Sequence, residues 1–213
     1  MAVLMFDFDG TLADSLGAIV AITNRLAPEF GYRPTAPEDL AALKHLPPRQ
    51  VIWQSQISVL KIPALLRRVR RELRQHMAEV PLCAGLHPVL RDLCQHHTLC
   101  ILTSNAPENV RPFLAAHGLT DCFGEITGGG TLFGKARLMR RVLADQGWDP
   151  SGVIYVGDEV RDIEAAHTVG MPVVAVTWGF NSRELLASAH PTWLVDHPDE
   201  LRAIATRIAP AQG

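Results

Sequence analysis

The chain has 213 residues, 47 % of them apolar and 20 % charged, a composition of globular proteins rather than of disordered or membrane-embedded ones. Its 20 Lys and Arg against 22 Asp and Glu leave a net charge of −2, which excludes a general affinity for nucleic acid or an anionic membrane. No stretch approaches the roughly 18 apolar residues of a membrane span, and the apolar start meets Asp7 too early for a signal peptide, so a cytoplasmic protein is expected.

Val3 to Phe6 is an unbroken apolar run, the pattern of a strand buried on both faces in a parallel sheet. Asp7-Phe8-Asp9-Gly10-Thr11 follows directly. Residues two apart on a strand point the same way, with Cα atoms roughly 6.6 Å apart. Asp7 and Asp9 therefore lean toward one site at the carboxyl end of the strand, where open α/β sheets bind ligands. Gly10 lets the chain turn, and the amide N–H groups of such a turn suit an anion. Asp-Gly is also a common turn signal, but two acids behind a buried strand call for a counter-charge.

From Ser15 to about Val80 the pattern is helical. Leu16, Ile19, Val20, Thr23, Leu26 and Ala27 keep a 3.6-residue period, and Pro28 and Gly31 are expected to end that helix. Pro37-Glu-Asp39 opens a short second helix that Pro47-Pro48 ends. Val51, Ile52, Ser55 and Gln56 form a third, and Ile62, Leu66, Val69, Leu73, Met77 and Val80 a fourth. The fourth carries Lys61, Arg67, Arg68, Arg70, Arg71 and Arg74, which read as a solvated face. Around Pro47-Pro48, Lys44, His45 and Arg49 either face the functional site or lie on an exposed connection.

From Pro81 onward helices and strands alternate. Leu86 to Gln95 is a helix, and Leu99 to Leu102 a buried strand ending in Thr103-Ser104-Asn105. Asn109 to His117 is a helix closed by Gly118, and Glu125 to Thr127 a short strand. The glycine-rich loop from Gly128 to Gly134 leads into a helix from Lys135 to Gln146, closed by Gly147. Val153 to Val156 is a strand ending in Gly157-Asp158, Ile163 to Val169 a helix, and Pro172 to Val176 and Trp193 to Val195 the last strands. Such alternation implies right-handed crossovers: an α/β fold with a Rossmann-like parallel sheet flanked by helices.

Three further clusters sit where strands end or helices begin. Thr103, Ser104 and Asn105 offer hydroxyl and amide donors, although these residue types also cap helices. Lys135 stands at a helix N-terminus, where the dipole disfavours a cation. Asp158 and Asp162, four apart, share a helical face and repel unless a cation is near. Asp7, Asp9 and Asp158 together supply the hard oxygen ligands that Mg²⁺ requires. An acid attacking a phosphate dianion from 4 Å meets a repulsion of about 4 kcal/mol per charge pair at an effective dielectric of 20, so a metal and Lys135 are needed beside it.

In Asp7-Phe8-Asp9-Gly10-Thr11, Thr103-x-Asn105, Lys135 and Gly157-Asp158-x-x-x-Asp162, the chain resembles the haloacid dehalogenase superfamily over nearly its whole length. The stretch Asp162-Ile-Glu-Ala-Ala-His-Thr-Val-Gly170-Met-Pro, with Thr177-Trp-Gly-Phe180, resembles the phosphoglycolate phosphatase-like branch. The resemblance implies a catalytic core of 1–14 and 82–213 with an inserted all-helical cap at 15–81. It implies that Asp7 is the nucleophile, forming an aspartyl-phosphate, and that Asp9 is the acid and base. Thr103, Ser104, Asn105, Lys135 and the Gly10 turn would bind substrate, and Arg49, from its place beside Pro47-Pro48 rather than from the resemblance, is a further substrate-binding candidate. Asp7, Asp9 (through its carbonyl), Asp158 and Asp162 would hold or orient Mg²⁺. Glu159 replaces the small residue usual after the metal aspartate, adding an acid near the metal. The expected function is Mg²⁺-dependent hydrolysis of a small phosphoglycolate-like ester. A phosphomutase of the β-phosphoglucomutase type and a non-catalytic phosphoryl-binding regulator are the alternatives. No oligomeric state follows from these residues.

Overall fold

In the computed structural model, residues 1–46, 48–128 and 134–207 are described. The apolar runs form six strands, Val3–Phe6 (β1), Thr98–Leu102 (β2), Phe123–Thr127 (β3), Val153–Gly157 (β4), Val173–Val176 (β5) and Trp193–Val195 (β6). They make one parallel sheet in the order β3-β2-β1-β4-β5-β6. The chain leaves central β1 for β2 on one side and returns through β4 on the other. That reversal opens a crevice at the carboxyl ends of β1, β2 and β4, where α/β sheets take their ligands.

Four helices follow β1: Leu16–Phe30 (α1), Asp39–Leu43 (α2), Pro48–Gln54 (α3) and Ile62–His76 (α4). The crossovers add Leu86–His96 (α5), Pro107–Ala116 (α6), Lys135–Gln146 (α7), Val160–Val169 (α8), Arg183–Ser188 (α9) and Glu200–Ala205 (α10). Strand residues alternate between two apolar layers. Leu4, Phe6, Leu99, Ile101, Ile154 and Val156 face one, with side chains of α5, α6 and α10 and of α1 and α4. Met5, Leu102, Tyr155 and Val173 face the other, against α7, α8 and α9. Each layer removes apolar surface from water at about 25 cal/mol per Å², which is why the sheet carries no polar face.

Several expected boundaries move. Pro28 does not end α1 but lies inside its last turns, and Gly31 closes the helix at φ +70°. A proline so near a helix end removes only a single backbone bond. The second helix stops at Leu43, and Pro48 begins α3 instead of breaking α2, since proline suits a first turn. The fourth ends at His76, while Met77 and Val80 remain buried beyond it. The short helices α9 and α10 carry too few apolar residues for a visible period. Pro47 and Gly129 to Phe133, and the side chain of Arg49, lie outside the described residues.

All four cysteines are free thiols, with Cys94 Sγ 2.7 Å from Cys122 Sγ. Among the described residues, no helix is long and apolar enough to cross a membrane.

Candidate active site

Phe8 anchors the opening motif. Its ring is fully buried, edge-on to Phe113 at 5.0 Å between centroids. The Asp7 amide extends the sheet by donating to the Val156 carbonyl at 2.8 Å, so the Asp7 side chain emerges opposite Phe8, above the β1–β4 boundary. Asp7 Oδ1 accepts the Phe8 N–H at 2.8 Å, and Asp7 Oδ2 accepts from Lys135 Nζ at 2.6 Å. Lys135 also binds Asp162 Oδ1. The lysine at the start of α7 thus reaches back over the sheet to two buried carboxylates. Burial pulls its pKa down, but Asp162 and Asp7 outweigh that and hold it above the ordinary lysine value.

Asp158, fully buried, follows β4. Its Oδ1 accepts the Thr11 hydroxyl at 2.7 Å, and its Oδ2 accepts the Phe180 N–H at 2.7 Å. Gly10 (φ +81°) and Gly179 lie against this carboxylate, and a Cβ on either would fall inside its van der Waals envelope. Gly10 N–H donates to the Ala13 carbonyl at 2.8 Å. Gly10's own amide is therefore engaged within the turn, and the glycine provides a left-handed conformation and space for Asp158. Gly179→Ala, which meets the same carboxylate without a change of backbone hand, is expected to lower stability by about 1–3 kcal/mol through overpacking. Denaturant melts test this, and a midpoint equal to wild type would mean the Asp158 cradle is slack.

Asp162 Oδ2 accepts the N–H groups of Asp158 and Glu159 at 3.2 and 3.1 Å, closing a capping box on α8 with Glu159. Glu159 is N-cap and ion-pair partner of Arg161, and its charge still bears on the neighbouring Asp158. The carboxylates Asp7, Asp158 and Asp162 each offer an oxygen within 4.8 Å of the others'. Burial raises Asp158 well above the carboxylate range, with Glu159, Asp162 and Asp7 adding to the effect. Burial likewise raises Asp7 to about 7 against the pull of Lys135. Buried, mutually repelling and all oxygen, this donor set fits a hard divalent cation.

Asp9 stands apart from that trio. Its Oδ2 accepts from Asn105 Nδ2 at 3.1 Å, while Oδ1 is buried without a partner among the described residues. Burial raises its pKa. Thr103 Oγ1 accepts the Asn105 N–H at 2.9 Å, and Asn105 Oδ1 accepts from Asn109 Nδ2 at 2.7 Å. Ser104 is half-buried and enters none of these bonds. The helical segment also touches the site: Lys44 Nζ donates to the Gly179 carbonyl at 3.0 Å, and Ser182 N–H to the Lys44 carbonyl at 2.8 Å. His45 instead lies 3.8 Å from Glu184. A cavity of about 860 Å³ lies between α2 and α3, lined among others by Arg33, Asp39, Ile52 and Gln56, and none of the crevice acids lines it.

Sequence reading gave Asn109 and Arg161 no role in the site and placed Arg70 on a solvated face. Asn109 stands one helical turn after Asn105, a spacing that signals a shared face. Arg161 sits inside the Asp158 motif, yet nothing in its spacing sets it apart from a surface arginine.

The profile of the family described as haloacid dehalogenase-like hydrolase matches residues 4–176. The chain is 40 % identical over 210 residues to a phosphoglycolate phosphatase of Synechococcus elongatus, covering 98 % of this chain and 99 % of that protein. It is 30 % identical to a phosphoglycolate phosphatase of Pasteurella multocida, covering 90 % and 92 %. A haloacid dehalogenase-like hydrolase of Streptococcus pneumoniae superposes with a TM-score of 0.80 at 23 % identity, covering 96 % and 98 %, and so shares the fold. On its sequence, the chain belongs to the haloacid dehalogenase-like hydrolase family.

Proposed function

We propose that the chain hydrolyses a small phosphate monoester of the phosphoglycolate type by way of a phosphoryl group carried on Asp7. Family membership and near-full-length identity with a phosphoglycolate phosphatase support a phosphoric monoester hydrolase. The observation that carries the mechanism is the buried Asp7–Lys135 pair standing beside Asp9, whose Oδ1 has no partner among the described residues.

An Asp7 oxygen attacks phosphorus while the bond to the ester oxygen breaks, and Asp9 gives its proton to that leaving oxygen. The raised pKa of Asp9 suits an acid that must hold a proton until then. Asp9, now ionised, takes a proton from water, which attacks the phosphoryl group and frees Asp7. Lys135 neutralises charge on Asp7 and the phosphoryl oxygens, and Asp162 aims it. Thr103 and Asn105 line the phosphoryl side. Asp7 and Asp158, with the Asp9 carbonyl, would hold Mg²⁺, which when bound supplies the positive charge that lets an anion approach an anion. Segment 15–81 acts as a cap on the core of 1–14 and 82–213, seated by Lys44 on the loop beside Asp158.

The purified protein is expected to release inorganic phosphate from 2-phosphoglycolate with Mg²⁺, to stop in chelator, and to recover when Mg²⁺ is restored. Phosphate that stays on the organic product would overturn hydrolysis in favour of a mutase. Metal binding requires ionised acids, and burial holds Asp7 near 7. Apparent Mg²⁺ affinity should therefore fall as pH drops below about 7, by about tenfold per unit for each proton displaced. Calorimetric titration across that range reads the effect, and a pH-independent affinity would remove Asp7 from the metal site.

A further inference from the structure

One polar side chain of α6 is buried at a cost. Asn109 is 2 % exposed and stands one helical turn beyond Asn105. Its Nδ2 donates to Asn105 Oδ1 at 2.7 Å and to the Arg70 carbonyl of α4 at 3.3 Å. Its Oδ1 is buried and has no partner among the described residues. A buried acceptor left unpaired lowers stability. Leucine, of nearly the same shape, would fill the space without that cost. The amide is therefore explained by what its nitrogen holds.

The Asn105 side chain can face Asp9 nitrogen first or oxygen first, and the choice is made from behind. Asn105 Oδ1 accepts the Ala106 N–H at 2.9 Å as well as Asn109 Nδ2. Rotating the amide would set its NH2 group against both of these donors. Nδ2 is left to donate to Asp9 Oδ2 at 3.1 Å. A group that only donates claims Oδ2 as its acceptor, so the proton that Asp9 delivers is carried on Oδ1. Ala106 is the next residue in the chain and moves with Asn105. Asn109 is fixed on α6 and against α4, so it supplies the reference that Ala106 cannot.

Within the phosphatase reading, on which this rests, we propose that Asn109 is a positioning residue for the general acid. Through the Asn105 amide it fixes which way the Asp9 carboxylate faces, and its second N–H ties that arrangement to α4.

Asn109→Leu removes the donor and keeps the volume. Its kcat on 2-phosphoglycolate should fall about 10- to 100-fold, part of what acid–base help is worth, with KM within about threefold of wild type. In the first turnover, release of nitrophenolate from nitrophenyl phosphate should slow less than release of glycolate, since the better leaving group needs less of the acid. The loss should also vanish where the acid is already disabled. Added to Asp9→Asn, Asn109→Leu should cost less than about twofold more. A residue that only packs α6 would show its full loss in that background. Asn109→Ala, which also lacks the donor, takes the place of the leucine variant if that one melts well below wild type.

An unchanged kcat in the folded variant overturns the role of Asn109 and leaves the hydrolase reading standing. So do equal first-turnover losses on the two esters, losses that add to those of Asp9→Asn, or failure of both variants to fold, each of which makes Asn109 a packing residue. A wild type that releases phosphate from neither ester overturns the proposed function and this role together.

Discussion

Asp7→Asn is expected to lower kcat by about 10⁴- to 10⁶-fold, the scale of removing a nucleophile. The amide keeps the shape of the side chain and leaves Lys135 paired with Asp162, so the loss would belong to chemistry rather than to folding. The stability change has a definite sign. Asp7 is raised from 3.8 to about 7 in the folded chain. A group shifted this way favours folding fully below its unfolded pKa, and that contribution disappears as pH rises through the folded value. Above about pH 7 the metal-free protein therefore carries an ionised Asp7 at a cost, and a neutral asparagine should melt at or above wild type. Turnover within tenfold of wild type would sink the covalent mechanism. A markedly lower melting temperature with the same loss of turnover would make Asp7 a structural residue instead.

Asp9→Asn should be nearly as damaging with a poor leaving group and much less so with a good one. General acid–base help is typically worth about 10²–10⁴-fold, and a nitrophenolate needs little protonation. Asn105 Nδ2 now donates to Asp9 Oδ2 at 3.1 Å, and an asparagine oxygen can accept the same bond, so the site should stay assembled. Water attack on the phosphorylated Asp7 still requires the missing base. The expected trace is a burst of nitrophenolate followed by slow turnover, with alkyl phosphates slow from the first turnover. Equal losses for both esters in single-turnover measurements would take the acid's role away from Asp9.

The order of elements and the core were legible because the central strands are short, almost wholly apolar runs. Val3 to Phe6 and Val153 to Val156 have no polar alternation, and a two-sided parallel sheet is the architecture that buries such runs. The period-two rule likewise brought Asp7 and Asp9 to one strand end, and the wrong-signed helix dipole singled out Lys135. Helix ends in the segment after β1 were less legible. Proline breaks, begins or tolerates a helix according to position, and Pro28 and Pro48 differ only in where the turns around them fall.

What the sequence determined by itself was local: which runs are buried, where carboxylates meet a strand end, and which motifs recur in a known family. Tertiary structure alone decided the pairings across long separations. It set Lys135 between Asp7 and Asp162, closed Gly10 and Gly179 on Asp158, paired Glu159 with Arg161, and tied the Arg70 carbonyl to Asn109. The reason is physical. Spacing along a chain dictates direction only within one helix or strand, whereas the partner of a buried charge is chosen by whichever element the sheet order brings within hydrogen-bond reach.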